Sequence, residues 1–202
     1  MRRWIMIIFI LVLAVILPAC GGNAEEQEDQ DQETQPEENT DEESEQTNAM
    51  DEEEKLVSLS DQDGDVVGTA TLTEGESGVT IEFEGTDLPA GTHGFHIHEN
   101  PSCDPSEDFE SAGEHFNPTE ANHGFDDPDG PHAGDLPNME VREDGTVEEE
   151  VTADMVTLEK DQDHSLYANG GTALMIHSDA DDYTSQPSGD AGDRIACGVI
   201  EE

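Results

Sequence analysis

Four early segments, residues 55–60, 65–73, 78–84 and 92–98, alternate or cluster β-forming residues, the pattern of strands with one face turned inward. Turn signals separate them: DQDG at 61–64, EGESG at 74–78 and DLPAG at 87–91. Later runs, NMEVRED, GTVEEEVT, TALMIH and RIACGVI, carry the pattern to the end of the chain. No segment after residue 55 sustains a helical period. Short strands at regular spacing predict an all-β domain, either an antiparallel sandwich or a Greek-key barrel. Two stretches rich in Gly, Pro and Asp interrupt it, at 99–137 and 178–193. Loops of that length in a compact domain need a function or an internal clamp.

The first fifty residues follow other rules. Arg2 and Arg3 precede an apolar run, 4–17, that ends in LPAC at 17–20. That is the layout of a secretory signal and is short for a membrane span. Cys20, followed by two glycines, resembles the acylation point of a bacterial lipoprotein, which divides the chain into a signal at 1–19, a lipidated linker at 20–54 and a folded domain at 55–202. The chain is then expected outside the cytoplasm, held at the cell membrane through Cys20. Residues 24–54 hold sixteen Asp or Glu among thirty-one positions, with no Lys, Arg, aromatic, Val, Ile or Leu. Such a segment cannot offset the entropy of ordering and reads as a solvated tether spanning on the order of 30 Å.

Charge narrows the partners. The formal net charge is -46, and past the signal the basic residues are Lys55, Arg142, Lys160 and Arg194. A surface of that sign repels phosphate backbones and excludes nucleic acid as a partner.

The candidate chemistry lies in the histidines. In GFHIHEN, His96 and His98 are two apart and so share one face of a strand. The first long loop then places His115, His123, His132 and Asp135 at gaps of eight, nine and three, and TALMIH ends on His177. Three imidazoles and one carboxylate make a closed tetrahedral set suited to zinc. Imidazoles from the strands plus one shared with the loop make an all-nitrogen set suited to Cu(II).

GFHIHEN, HFNP, HAGDLPN, ALMIH…DDY and AGDRIACGVI together resemble the copper–zinc superoxide dismutase family of the bacterial, secreted kind, over 55–202. The resemblance implies an eight-stranded antiparallel Greek-key β-barrel, an immunoglobulin-like sandwich with two long functional loops. It implies a copper ion on His96, His98, His115 and His177, and a zinc ion on His115, His123, His132 and Asp135, with His115 as the bridge. Asp181 would accept hydrogen bonds from His96 and His123 and fix both rings. Arg194 would guide the superoxide anion to copper, and His115 would supply a proton. Cys103 and Cys197, the thiols left beside Cys20, would pair as a disulfide, as an even pair in an exported protein suggests. His93 and His164 fall outside every motif and receive no role. Both a monomer and a homodimer suit a tethered domain.

One departure bears on rate. Familiar members carry lysines in the loop after the last copper histidine; here 178–193 holds Asp179, Asp181, Asp182, Asp190 and Asp193 and no lysine. The expectation is an enzyme whose rate rises, or falls unusually little, with added salt. The alternative is a metal-binding or structural relative without turnover, whose mark would be a lost copper ligand; none of the four is missing. A copper store would need Met- or Cys-rich sites, whereas Met139, Met155 and Met175 are scattered.

Overall fold

In the computed structural model, which describes residues 54–202, the alternating runs become strands. In chain order they are β1 (Glu54–Asp61), β2 (Val66–Gly75), β3 (Gly78–Gly85), β4 (Gly91–His93), β5 (Phe95–His98), β6 (Met139–Val141), β7 (Val147–Ala153), β8 (Thr172–His177) and β9 (Arg194–Ile200). The signal, Cys20 and the acidic linker up to residue 53 lie outside the described residues. Among the described residues the only helices are short 3-10 turns.

The strands form a seven-stranded antiparallel sheet in the order β5-β8-β9-β1-β2-β3-β7 and a two-stranded sheet of β4 and β6. The last strand therefore lies between the first strand and β8, a long-range connection of the Greek-key kind. Alternation sets the register: Val57 and Leu59 of β1 and Val79, Ile81 and Phe83 of β3 face the core, while Ser58, Glu82, Glu84 and the apolar Leu56 turn out. In β2 both Val67 and Ala70 are buried although three residues apart. An irregularity in the β1–β2 pairing at Leu59/Ser60 reverses the facing there, as a bulge does. One core joins the two sheets, with Phe83, Phe95, Met139 and Leu174 among its members.

The run at 92–98 is expected as one strand and is found as two in different sheets, β4 and β5, broken at Gly94. The second long loop and the end of β8 press on that point. Gly94 donates its N–H to the Asp179 carbonyl (2.8 Å), and its carbonyl accepts from His177 N (2.9 Å). A Cβ at Gly94 would lie 3.0 Å from Ala191 Cβ and 3.1 Å from His96 Cε1, so the glycine permits the close approach. Eight expected strands become nine for this reason alone.

Both long loops are clamped. Cys103 and Cys197 form a disulfide that ties the first loop to β9. A third connection, 154–171, also runs without strands between β7 and β8. It is pinned where the Glu74 carboxylate accepts from Thr157 Oγ1 (3.0 Å) and from Leu158 N, with Leu158 and Leu166 buried beneath.

Candidate metal centre

β5 and β8 are adjacent, and every residue of both is buried. His96 and His98 come from β5 and His177 from the end of β8, so pairing brings three rings together. The first loop adds His115 and Asp135 through isolated bridges, His98 with His115 and His96 with Asp135. Loop and strand are further stitched by Phe116 N to Ile97 O and Ile97 N to Gly134 O, both 2.8 Å.

The outcome is two groups, each with one ligand atom per residue and all those atoms within 4.8 Å of one another. One is His96, His98, His115 and His177; the other is His115, His123, His132 and Asp135. Every member is buried, and His115 belongs to both.

Hydrogen bonds to the outer side of each ring decide which nitrogen faces inward. His96 Nε2 donates to Asp181 Oδ2 (2.8 Å) and His123 Nε2 to Asp181 Oδ1 (3.0 Å). His98 Nδ1 donates to the Gly113 carbonyl (3.0 Å) and His177 Nδ1 to the Gly192 carbonyl (3.4 Å). A carboxylate or carbonyl oxygen only accepts, so those nitrogens carry the protons and the opposite ones present lone pairs. His98 Nε2 and His177 Nε2 then face each other at 3.4 Å.

These inward atoms fit cations. His96 Nδ1, His115 Nε2, His123 Nδ1 and His132 Nδ1 are buried with no hydrogen-bond partner. Native interiors rarely leave such atoms unsatisfied, at about 1–3 kcal/mol each. Asp135 Oδ1 lies 2.8, 3.1 and 3.2 Å from Nδ1 of His115, His123 and His132. A tetrahedral zinc ion with bonds near 2.0–2.1 Å separates its ligand atoms by about 3.3 Å, so the spacing and the donor set suit it. The other oxygen of Asp135 accepts from Gly124 N (2.8 Å) and His132 N (3.0 Å), which holds the carboxylate in place.

Electrostatics agree with this division. Burial lowers His96 and lowers His98 well below the ordinary imidazole range; with neighbouring imidazoles it brings His115 to about 4 and His177 to about 2. Burial works against a charged His123 too, but the Asp135 and Asp181 carboxylates outweigh it and raise the ring to about 9. For Asp135 burial acts upward, and the three imidazoles overcome it, holding the carboxyl far below the usual carboxylate range. Asp181 is likewise lowered, against burial, by His123, His96 and the Tyr183 amide.

A pH dependence follows for the metal-stripped protein. Histidines of the unfolded chain take up protons near pH 6.5, whereas folded His115 and His177 resist down to about 4 and about 2. Their share of stability is complete above 6.5 and is lost as the pH falls below it. His123 has the opposite sign, complete below 6.5 and lost as the pH rises through about 9. With His96 and His98 on the side of the majority, calorimetry of chelated protein should give a lower Tm at pH 4.5 than at pH 7. A Tm that is flat or rises on acidification contradicts this balance.

The centre opens on a cleft of about 930 Å³ lined by His98, His115, His132, His177 and Arg194. Arg194 donates from Nη1 to the Phe109 carbonyl and from Nη2 to the Gly113 carbonyl, both 2.8 Å, and its Nη2 is 3.7 Å from Glu110. The loop 178–193 contributes only part of the negative charge around it. Of its acids, Asp193 lines the cleft, Asp181 is buried between His96 and His123, and Asp182 accepts from Thr184 and Ser185 in a turn. Glu99, Asp108, Glu110, Glu114 and Glu120 of the first loop supply the rest.

Three supporting residues carried no sequence signal. Gln186 bonds both main-chain groups of His123, accepting from its N and donating to its O, each at 2.9 Å. Asn138 does the same for Asp181, at 2.9 and 2.8 Å. His93 is buried, with Nδ1 2.7 Å from the His177 carbonyl and Nε2 2.8 Å from that of Pro89, so it braces the end of β8. His164 is exposed.

Comparison with known proteins gives consistent matches. The model of the family described as copper/zinc superoxide dismutase (SODC) matches residues 66–200. Copper–zinc superoxide dismutase 1 of Aquifex aeolicus is 49% identical over 142 residues, 70% of this chain and 83% of that protein. The superoxide dismutase-like protein YojM of Bacillus subtilis is 42% identical over 146 residues, 71% of this chain and 74% of that protein. Among solved structures, a copper/zinc superoxide dismutase from Brucella abortus superposes with a TM-score of 0.61 at 32% identity, covering 74% of this chain and 100% of that one.

Proposed function

The chain belongs to the copper/zinc superoxide dismutase family, and from that premise we propose that it converts superoxide to dioxygen and hydrogen peroxide at the outer face of a cell, through the residues of the two histidine groups. The observation that carries this reading is the sharing of His115: one buried ring contributes to both sets, with Nδ1 against Asp135 and Nε2 unpaired toward the other. His96, His98, His115 and His177 would hold copper, and His115, His123, His132 and Asp135 would hold zinc.

Copper, when bound, supplies a one-electron couple that accepts an electron from one superoxide and returns it to a second. The rest falls to the chain. Arg194 attracts the substrate anion, because a guanidinium stays charged at every relevant pH and its two nitrogens are already aligned by carbonyls. Two protons are needed for each peroxide formed; His115 Nε2 is the buried nitrogen placed to carry one, and water entering the cleft brings the other. Asp181 fixes His96 and His123 together, and Asp135 fixes His115.

The relative named only as dismutase-like keeps a second reading in view, a protein that binds metal without turnover. Solved structures of a SOD-like protein from Bacillus subtilis include a double mutant in which a tyrosine and a proline are each changed to histidine. In this chain all four copper-side positions are histidine. The deciding measurement is superoxide decay by purified protein with copper and zinc counted per chain. Catalysis at full loading supports the first reading, and full loading without catalysis supports the second. The same assay across ionic strength should show a rate that rises or holds, because salt screens the carboxylates of the cleft mouth within about 8 Å at 0.15 M. A steep fall with salt would show that long-range attraction dominates instead.

The lipid anchor on Cys20 completes the proposal. A Cys20→Ser chain should be released from the membrane fraction while its metal content stays unchanged. Release of the unaltered chain in equal amount would remove the anchor from the account.

A further inference from the structure

Arg194 is held by two carbonyls, and both belong to one turn in the first loop. Phe109 O accepts Nη1 and Gly113 O accepts Nη2, each at 2.8 Å. Gly113 O also accepts His98 Nδ1 at 3.0 Å, so the turn touches both the anion-binding arginine and a copper-side ring. Between those carbonyls lies a single 3-10 turn, Glu110–Ala112.

The turn is entered through a backbone that side chains disfavour. Asp108 (φ 52, ψ 34) and Phe109 (φ 60, ψ 15) are consecutive left-handed residues, and neither is glycine. A bulky residue in that conformation persists only when its surroundings over-determine it. Phe109 is 1% exposed and packs in a small cluster with Ala112, Ala173, Met175 and Cys197, with Cys103 against it. That cluster rests on β8, β9 and the disulfide. Its ring is buried, yet its carbonyl faces the cleft side, toward Arg194.

We propose that Phe109 is a positioning residue: its buried ring locks the left-handed turn so that the Phe109 and Gly113 carbonyls aim the guanidinium of Arg194, and this sets how tightly the cleft takes a small anion. A residue that fitted the backbone better would lack the anchor. Glycine at 109 would adopt the turn without strain and leave it free to drift from Arg194.

The test uses the full chain with Phe109→Gly, Phe109→Leu, Arg194→Ala and the Phe109→Leu/Arg194→Ala pair. Azide, a small monovalent anion, is titrated into copper- and zinc-loaded protein and followed by the copper spectrum. The ordering of the Arg194 side chain is read separately, from its Nε–H relaxation in metal-stripped protein; the other arginines are Arg2, Arg3 and Arg142. Phe109→Gly should weaken azide roughly tenfold, the size of one lost hydrogen bond to a charged group, and loosen Arg194. Phe109→Leu, which keeps part of the packing, should show a smaller loss of both, with metal content unchanged. In the Arg194→Ala background Phe109→Leu should add nothing further.

Azide affinity and Arg194 order unchanged in the Phe109 variants would overturn the proposal. So would an equal loss with and without Arg194, which would mean that the ring acts on the fold in general. If Phe109→Gly does not fold, Phe109→Leu and its coupling to Arg194 decide the matter. The inference rests on Arg194 as the anion contact, and the two fail separately. Unchanged azide affinity in Arg194→Ala would refute that contact, whereas the relaxation measurement needs no anion and reads Phe109 alone.

Discussion

Replacing His115 by alanine is expected to reduce superoxide dismutation by well over a hundredfold and to weaken zinc binding in the same protein. Residues that merely orient a ligand cost about 10–100-fold when removed, and a ligand should cost more. His115 is the one residue common to both groups. Its Nδ1 lies 2.8 Å from Asp135 Oδ1, and its Nε2 is a buried nitrogen without a partner. The ring also packs 4.0 Å from that of His96, centroid to centroid, so its loss opens a hole between the two sets. Asp135 would keep His123 and His132 as neighbours but lose one of the three imidazoles that hold its charge. The measurement is metal content by elemental analysis beside the rate of superoxide decay. A variant that retained both metals and more than about a tenth of the rate would show that the bridge is dispensable, contrary to what a shared ligand requires.

Removing the disulfide should produce the largest loss of stability. Cys103 and Cys197 are 94 residues apart, and in the chain-entropy model closing such a loop contributes about 4–5 kcal/mol. For a domain of this size that corresponds to a Tm lower by roughly 10–20 °C in Cys103→Ser/Cys197→Ser. The effect should reach the centre as well. Cys197 and Cys103 pack against Phe109, and the Phe109 carbonyl holds Arg194. Scanning calorimetry with and without reductant reads the stability. A shift of only a few degrees would show that the first loop is held chiefly by its hydrogen bonds to Ile97.

The two metal-ligand groups were legible because their chemistry is written in residue type and spacing. HxH on a strand fixes two rings on one face, and three histidines with an aspartate within twenty-one residues have few other uses. The strands were legible for the same reason, that alternation leaves little freedom of register. What stayed hidden depends on contacts remote in sequence. Nothing local marks Gly94 as a break, since the break arises where Asp179 and His177 bond to it from another loop and strand. Gln186 and Asn138 read as ordinary loop amides until folding sets them against the main chains of His123 and Asp181. His93 belonged to no motif because its partners are carbonyls, which every residue has. The acids of the cleft mouth come mostly from the first loop, whose part in the cleft no local pattern marks, with Asp193 added from 178–193.

Asp181 has one oxygen on His96 and the other on His123. A single carboxylate thus orients one ring in each group. Whatever filling the zinc side does to align Asp181, it does for His96 as well, and filling the copper side does the same for His123. Thermodynamic reciprocity then requires that the factor by which zinc alters copper affinity equal the factor by which copper alters zinc affinity. The two groups are thus coupled through one carboxylate, and the expected sign of that coupling is read by measuring copper affinity with and without zinc.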